Sequence, residues 1–199
     1  MKTYEGKTVE DALNLACQDL GVMVEDLTYE VIEEKKSLFS KKVIIECYTN
    51  DMILDYMEDY IRRTLTNMEF EVETVAYIQD DRFFCNINTN NNSILIGKNG
   101  VILRAFNLIV RNAVNHEFKK RIPLSIDING YKESRYRRVA SMSKRFGKQV
   151  QRTKAPMKVD PMPADERKVM HQTISQMSHL KTESKGEGKN RYITIYYVD

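Results

Sequence analysis

Two short spacings in this chain carry residue types suited to gripping a polyanion. The first is Ile96-Gly97-Lys98-Asn99-Gly100. Two glycines three positions apart permit a tight turn between helices and let another backbone come close, because no Cβ stands in the way. A helix starting at Val101 would aim its unpaired N–H groups and the positive end of its dipole at that turn, and Lys98 adds a point charge. Such a turn suits a phosphodiester backbone. Arg104, one helical turn on, would reach a neighbouring phosphate, while Ile96, Val101 and Ile87 would offer bases an apolar groove. A plain structural turn would use the same two glycines, so the spacing alone leaves both readings open. The second spacing is Arg167-x-x-x-His171. Four residues apart on a helix puts both side chains on one face, a planar cationic fork beside an imidazole that can hydrogen-bond or stack. Helix packing or an internal hydrogen bond is the alternative for this pair.

The charge distribution favours the polyanion. A formal net charge of +3 conceals a strong polarity: residues 1–90 hold nine Lys and Arg against nineteen Asp and Glu, a net of −10, and residues 91–199 hold twenty-two against nine, a net of +13. Within 131–158 stand ten basic residues and one acid, Glu133. A charge run is ordinarily a solvated helix face, but the acids that intersperse such a face are nearly missing here. That density attracts polyanions at long range, and nucleic acid is the commonest of them. Arg135, Arg138, Lys144, Arg145, Lys148 and Arg152 are the candidate contacts on this stretch.

Other classes find little support. Cys17, Cys47 and Cys85 are an odd number at spacings that suit neither a disulfide framework nor a zinc knuckle. His116, His171 and His179 lack ligand spacing, and no Walker A, G-x-G-x-x-G or H-E-x-x-H pattern occurs. The carboxylates of 51–59 lie opposite an apolar stripe, as on a solvated helix face, and Cys85 sits in a strand as a small core residue. Catalysis is therefore not expected, nor any cofactor or metal. No apolar run approaches the roughly 20 residues that span a bilayer, and the first residues lack a signal-peptide core, so a soluble cytoplasmic protein without a membrane span is expected.

The elements that must hold these residues are legible as α+β modules. Residues 1–50 read as strand, helix, strand, strand, with Thr8 as N-cap, Val9, Ala12, Leu13, Ala16 and Leu20 at helical spacing, and Gly21 as the stop. Strands are predicted at 27–33 and 43–48 around a loop whose Leu38-Phe39 pair could dock a partner or fold back on its own sheet. Residues 51–129 read as helix, strand, strand, helix, helix, strand, with a turn at 79–82 and a strand at 124–128. A long basic helix follows at about 131–152, its apolar stripe formed by Val139, Met142, Phe146 and Val150. Beyond Pro156, Pro161 and Pro163 come a helix at 165–177 and strands at 180–183 and 191–198. Three small domains are expected at 1–50, 51–130 and 131–199, the basic helix connecting the last two.

A G-x-x-G loop between two helices is how the K homology (KH) RNA-binding domain clamps its ligand, and the element order of 51–129 resembles the type II form of that fold. The segment PADERKVMH followed by TESKGEGKNRYITI is similar to the R-three-H module associated with single-stranded nucleic acid. With YEGKTVEDALNLACQDLG at the start, the whole chain resembles the bacterial Jag (SpoIIIJ-associated) family: a Jag N-terminal domain, a KH domain and an R-three-H domain in series. Asn99 departs from the family's usual basic residue, KKSLFS replaces a loop that usually carries glycines, and the long charged linker of many members is nearly absent. The resemblance implies a cytoplasmic RNA-binding regulator linked to cell elongation, division or membrane-protein insertion, with ties to the insertase machinery and, in some members, a separate small KH protein. On this reading single-stranded RNA, with single-stranded DNA as the alternative, lies against 97–100, and Arg167, Lys168, His171 and Arg191 engage a second stretch of the strand. Two weak sites on one ligand raise avidity when suitably spaced. An open sheet edge would also support a homodimer. The rival reading is a protein-interaction adaptor docking through its acidic N-terminal region.

Overall fold

Thr8 caps the first helix as its type requires. The Asp11 amide donates to Thr8 Oγ1 and the Thr8 amide donates to Asp11 Oδ2, both at 3.1 Å, a reciprocal capping box. The computed structural model describes residues 1–36 and 41–199, so the Leu38-Phe39 pair lies outside the described residues. Helix α1 (Val9–Leu20) ends where Gly21 takes φ 68°, and it lays Ala12, Leu13 and Ala16 on a sheet of β1 (Lys2–Gly6), β2 (Thr28–Lys36) and β3 (Lys41–Tyr48). The sheet is antiparallel in the order β1-β3-β2, and Leu27, Val43, Ile45 and Cys47 complete the small core.

Residues 50–128 follow the expected order of elements. Helix α2 (Asn50–Asn67) buries Ile53, Met57, Ile61 and Leu65, one per turn on one stripe. Strands β4 (Val72–Gln79) and β5 (Arg82–Thr89) pair antiparallel across Asp80 and Asp81, whose φ values of 49° and 56° are those of a primed hairpin turn. Helices α3 (Asn92–Ile96) and α4 (Val101–Glu117) come next, then β6 (Leu124–Ile128), which pairs parallel with β5 in the order β4-β5-β6. The crossover through α4 is what makes that pairing parallel. Asn107 and Asn115 fix α4 to the following chain by accepting from the Ile126 and Ile122 amides, each at 2.8 Å.

The stretch Asn92–Glu117 is long and apolar enough, by length and composition, to cross a membrane. Positive φ at Gly97, Asn99 and Gly100 breaks it after Ile96, and Leu103, Phe106, Val110 and Val114 are buried. Phe118, just past α4, meets Tyr48 and Tyr56 edge-on with ring centroids 5.0 and 5.7 Å away. Through such contacts Met1–Asn129 form one compact unit, and Gly130–Asp199 form a second.

In the second unit, helix α5 (Tyr131–Thr153) is more than a connector. Val139, Ser143, Gly147 and Val150 are buried, and Met142 and Phe146 pack beside them. Helix α6 (Ala164–Ser175) adds Met170 and Ile174, and the sheet adds Ile193 and Ile195. That sheet runs β7 (Met157–Lys158), β9 (Tyr192–Tyr197), β8 (Leu180–Lys185), all antiparallel. Gly147 lets the two helices close: a Cβ there would stand 2.6 Å from Met177 Sδ and 3.0 Å from Ile174 Cδ1.

Candidate nucleic-acid interface

The turn at 97–100 is built by backbone geometry more than by side chains. Gly97 has φ 68° and ψ 177°, Asn99 has φ 53° and Gly100 has φ 71°. Three left-handed residues within four reverse the chain between α3 and α4, and glycine or asparagine tolerates each. An added Cβ at Gly97 would lie 2.6 Å from Ile102 Cγ1, so this position excludes a side chain twice over. The Gly97 amide donates to the Ser93 carbonyl at 3.0 Å and the Gly100 amide donates to the Gly97 carbonyl at 3.1 Å. Gly100 is buried, whereas Lys98 and Asn99 project into solvent where α4 begins.

Around this turn the expected residues divide. Val101 is 53% exposed and Ile96 half-buried. Ile87 is 1% exposed on the inward face of β5, so no base can touch it. Its place in the expected groove is corrected by the pleat, which turns Phe83, Cys85 and Ile87 together into the core. Arg104 donates from Nη1 to the Asn99 carbonyl at 2.8 Å, bracing the turn while its remaining N–H groups stay available to an anion.

On α6, Arg167 and His171 share a face as their spacing demands, and both are half-buried. Arg167 Nη1 donates to the Met162 carbonyl at 3.3 Å, and a 2.6 Å hydrogen bond links His171 Nδ1 to Thr182 Oγ1 on β8. Both side chains thus hold structure together, whereas Lys168 and Arg191 are exposed. Burial first, and the Arg167 guanidinium second, hold His171 below the ordinary imidazole range. A histidine depressed in the fold takes up its proton more readily when unfolded. Its contribution to stability is therefore complete above the unfolded value of 6.5 and is lost as pH falls through the folded one. Urea denaturation at pH 7.5 and 5.5 should show a larger loss for the wild-type chain than for His171→Gln, and equal losses would contradict this account.

The basic face of α5 is real, with one exception. Arg138, Arg145 and Arg152 recur every seven residues on the exposed side, flanked by exposed Lys144 and Lys148, and Arg145 lies over the Phe146 ring at 5.3 Å. Arg135 is committed elsewhere. Its Nε and Nη2 donate to Glu166 Oε1 and Oε2, each at 3.0 Å, and the Glu166 side chain is 3% exposed. That bidentate pair joins α5 to α6 and removes Arg135 from the expected contact set. A clue lay in the sequence: Glu166 occupies the position four before Met170 on the buried stripe of α6, where an acid demands a partner. Cys85 is fully buried and its thiol is pushed up to about 12, chiefly by burial, the opposite of an activated nucleophile.

Fold and site together define a chain of small α+β modules in series, one with a G-x-x-G turn and one with an R-x-x-x-H helix. Residues 4–48 match the family described as Jag N-terminus and residues 137–197 the R-three-H domain, which takes in most of α5. The protein named RNA-binding protein KhpB of Clostridium symbiosum is 28% identical over 201 residues, spanning 98% of this chain and 90% of that one. Its namesake in Bacillus subtilis (strain 168) is 26% identical over 200 residues, spanning 97% and 96%. One from Streptococcus pneumoniae serotype 2 (strain D39 / NCTC 7466) is 26% identical over 136 residues, spanning 68% and 42%. The two ends of the chain thus match the Jag N-terminus and R-three-H families, and nearly its whole length is similar to proteins named RNA-binding protein KhpB.

Proposed function

We propose that the chain is a single-stranded RNA-binding regulatory protein in which residues 50–129 act as a KH module. The observation that carries this reading is the left-handed turn at Gly97, Asn99 and Gly100, which presents Lys98 and the start of α4 to solvent inside an α-β-β-α-α-β unit. A strand lying there meets a helix N-terminus and a lysine, with Ile96, Val101 and Arg104 at its margin. Arg167, Lys168, His171 and Arg191 form the second contact, and Arg138, Lys144, Arg145, Lys148 and Arg152 add attraction without sequence preference. The relatives named RNA-binding protein KhpB support RNA as the ligand. Through the family, the reading extends to a regulator of cell elongation, division or membrane-protein insertion that works with a separate small KH protein.

The test is fluorescence anisotropy of a labelled single-stranded RNA titrated across salt concentrations. Affinity should fall linearly on a log–log plot with a slope near −0.7 per phosphate neutralised. No binding, or binding indifferent to salt, would contradict the reading and favour the adaptor role.

A further inference from the structure

The C-terminal unit has a second face that the Arg167–His171 helix does not use. In β9, Ile193 and Ile195 point into the core with α5 and α6, so the pleat sends Tyr192, Thr194 and Tyr196 to the opposite side. Their strand partners there are Lys185, Glu183 and Lys181 on β8, and Lys158 on β7 pairs with Thr194. The three lysines are exposed. Lys158 Nζ sits 4.3 Å from the Tyr192 ring centroid, and Lys185 Nζ donates to Tyr196 Oη at 2.7 Å while lying 5.3 Å from that ring's centroid. Glu183, the acid among these strand partners, is itself paired with Lys185 at 3.2 Å.

We propose that this outer sheet face is a base-stacking platform for single-stranded RNA, separate from both the 97–100 turn and the α6 pair. The proposal rests on the RNA-binding reading above. Tyr192 and Tyr196 are four residues apart on one strand, roughly 13 Å, enough for each to take its own base. Three lysines against one acid leave the face a net charge of +2, the sign a phosphate backbone needs. Its strand residues, tyrosine, threonine, lysine and glutamate, include no large aliphatic side chain, which disfavours a protein or lipid partner. A cation over an exposed ring is worth only roughly two- to fivefold. A base stacked on an aromatic side chain is worth roughly five- to a hundredfold. An arriving base therefore displaces the lysine from the ring, and the freed ammonium turns to the adjoining phosphate.

The decisive variants in the full chain are Tyr192→Leu/Tyr196→Leu, which keeps apolar bulk without a flat ring, and Tyr192→Phe/Tyr196→Phe, which keeps the ring. Binding of a fluorescein-labelled oligouridylate should weaken at least about fivefold in the leucine pair and stay near wild type in the phenylalanine pair. Wild-type affinity in the leucine pair, when Lys98→Asp/Asn99→Asp still loses binding, overturns the platform and leaves the RNA-binding reading intact. Failure of the unaltered chain to bind overturns both. Should the leucine pair misfold, photocrosslinking of 4-thiouridine RNA to the unaltered chain decides. Adducts on Tyr192 and Tyr196 support the platform, and adducts confined to other positions overturn it.

Discussion

Arg135→Ala should be the most destabilising single change on the basic helix, lowering the urea midpoint of the C-terminal unit by the equivalent of about 3–5 kcal/mol. The reason is the carboxylate left behind. Glu166 is held by both nitrogens of the Arg135 fork, and its side chain is only 3% exposed, so alanine strands a buried charge with neither partner nor water. The Arg135 guanidinium is held above even its ordinary range, first by those hydrogen bonds to Glu166, so it stays charged at any working pH. Removing both partners is a different experiment. Arg135→Met/Glu166→Leu should recover most of the loss, because replacing a buried ion pair with apolar side chains is often neutral. An Arg135→Ala chain within about 1 kcal/mol of wild type would mean that Glu166 reaches another donor or water.

The largest effect on binding is expected from Lys98→Asp/Asn99→Asp. Both side chains are exposed, and aspartate tolerates the left-handed backbone of position 99, so the fold should survive. At the turn, the lysine change reverses a charge and the asparagine change adds one, three unit charges in all. Each is worth about 1 kcal/mol against a phosphate some 4 Å away in water, and less once salt screens it. Together they should weaken single-stranded RNA binding at least about tenfold at low salt, read by anisotropy beside an unchanged far-ultraviolet spectrum. Affinity within about twofold of wild type would move the contact off the turn. Gly97→Ala would be a poorer probe, since it forces a Cβ to 2.6 Å from Ile102 at φ 68° and disturbs the packing of α4 as well as the ligand.

Local chemistry made much of this fold legible. Thr8 and Gly21 bound α1 as expected, the turn at 79–82 falls on Asp80 and Asp81, and β6 occupies the predicted 124–128. The strand ends shifted by one to three residues, because pairing across a sheet extends a strand beyond its own apolar pattern. What escaped was long-range. Nothing local says that Arg135 and Glu166, 31 residues apart, would meet, nor that Ile87 would turn inward beside Cys85. The apolar stripe of α5 was visible, but its partners, Met170, Ile174, Ile193 and Ile195, come from later in the chain. A helix that read as a connector is therefore part of a core. A truncation after residue 152 would strip that core, and a cut at the 129/130 boundary between compact units is the sounder one.

The proposed function requires RNA to lie on the turn between α3 and α4. Amide chemical shifts of the isotope-labelled chain, followed while single-stranded RNA is added, test it most directly. Progressive shifts are expected at Gly97, Lys98, Asn99, Gly100 and Val101. Saturable binding that leaves those five amides unmoved, with shifts only on other elements, would contradict it.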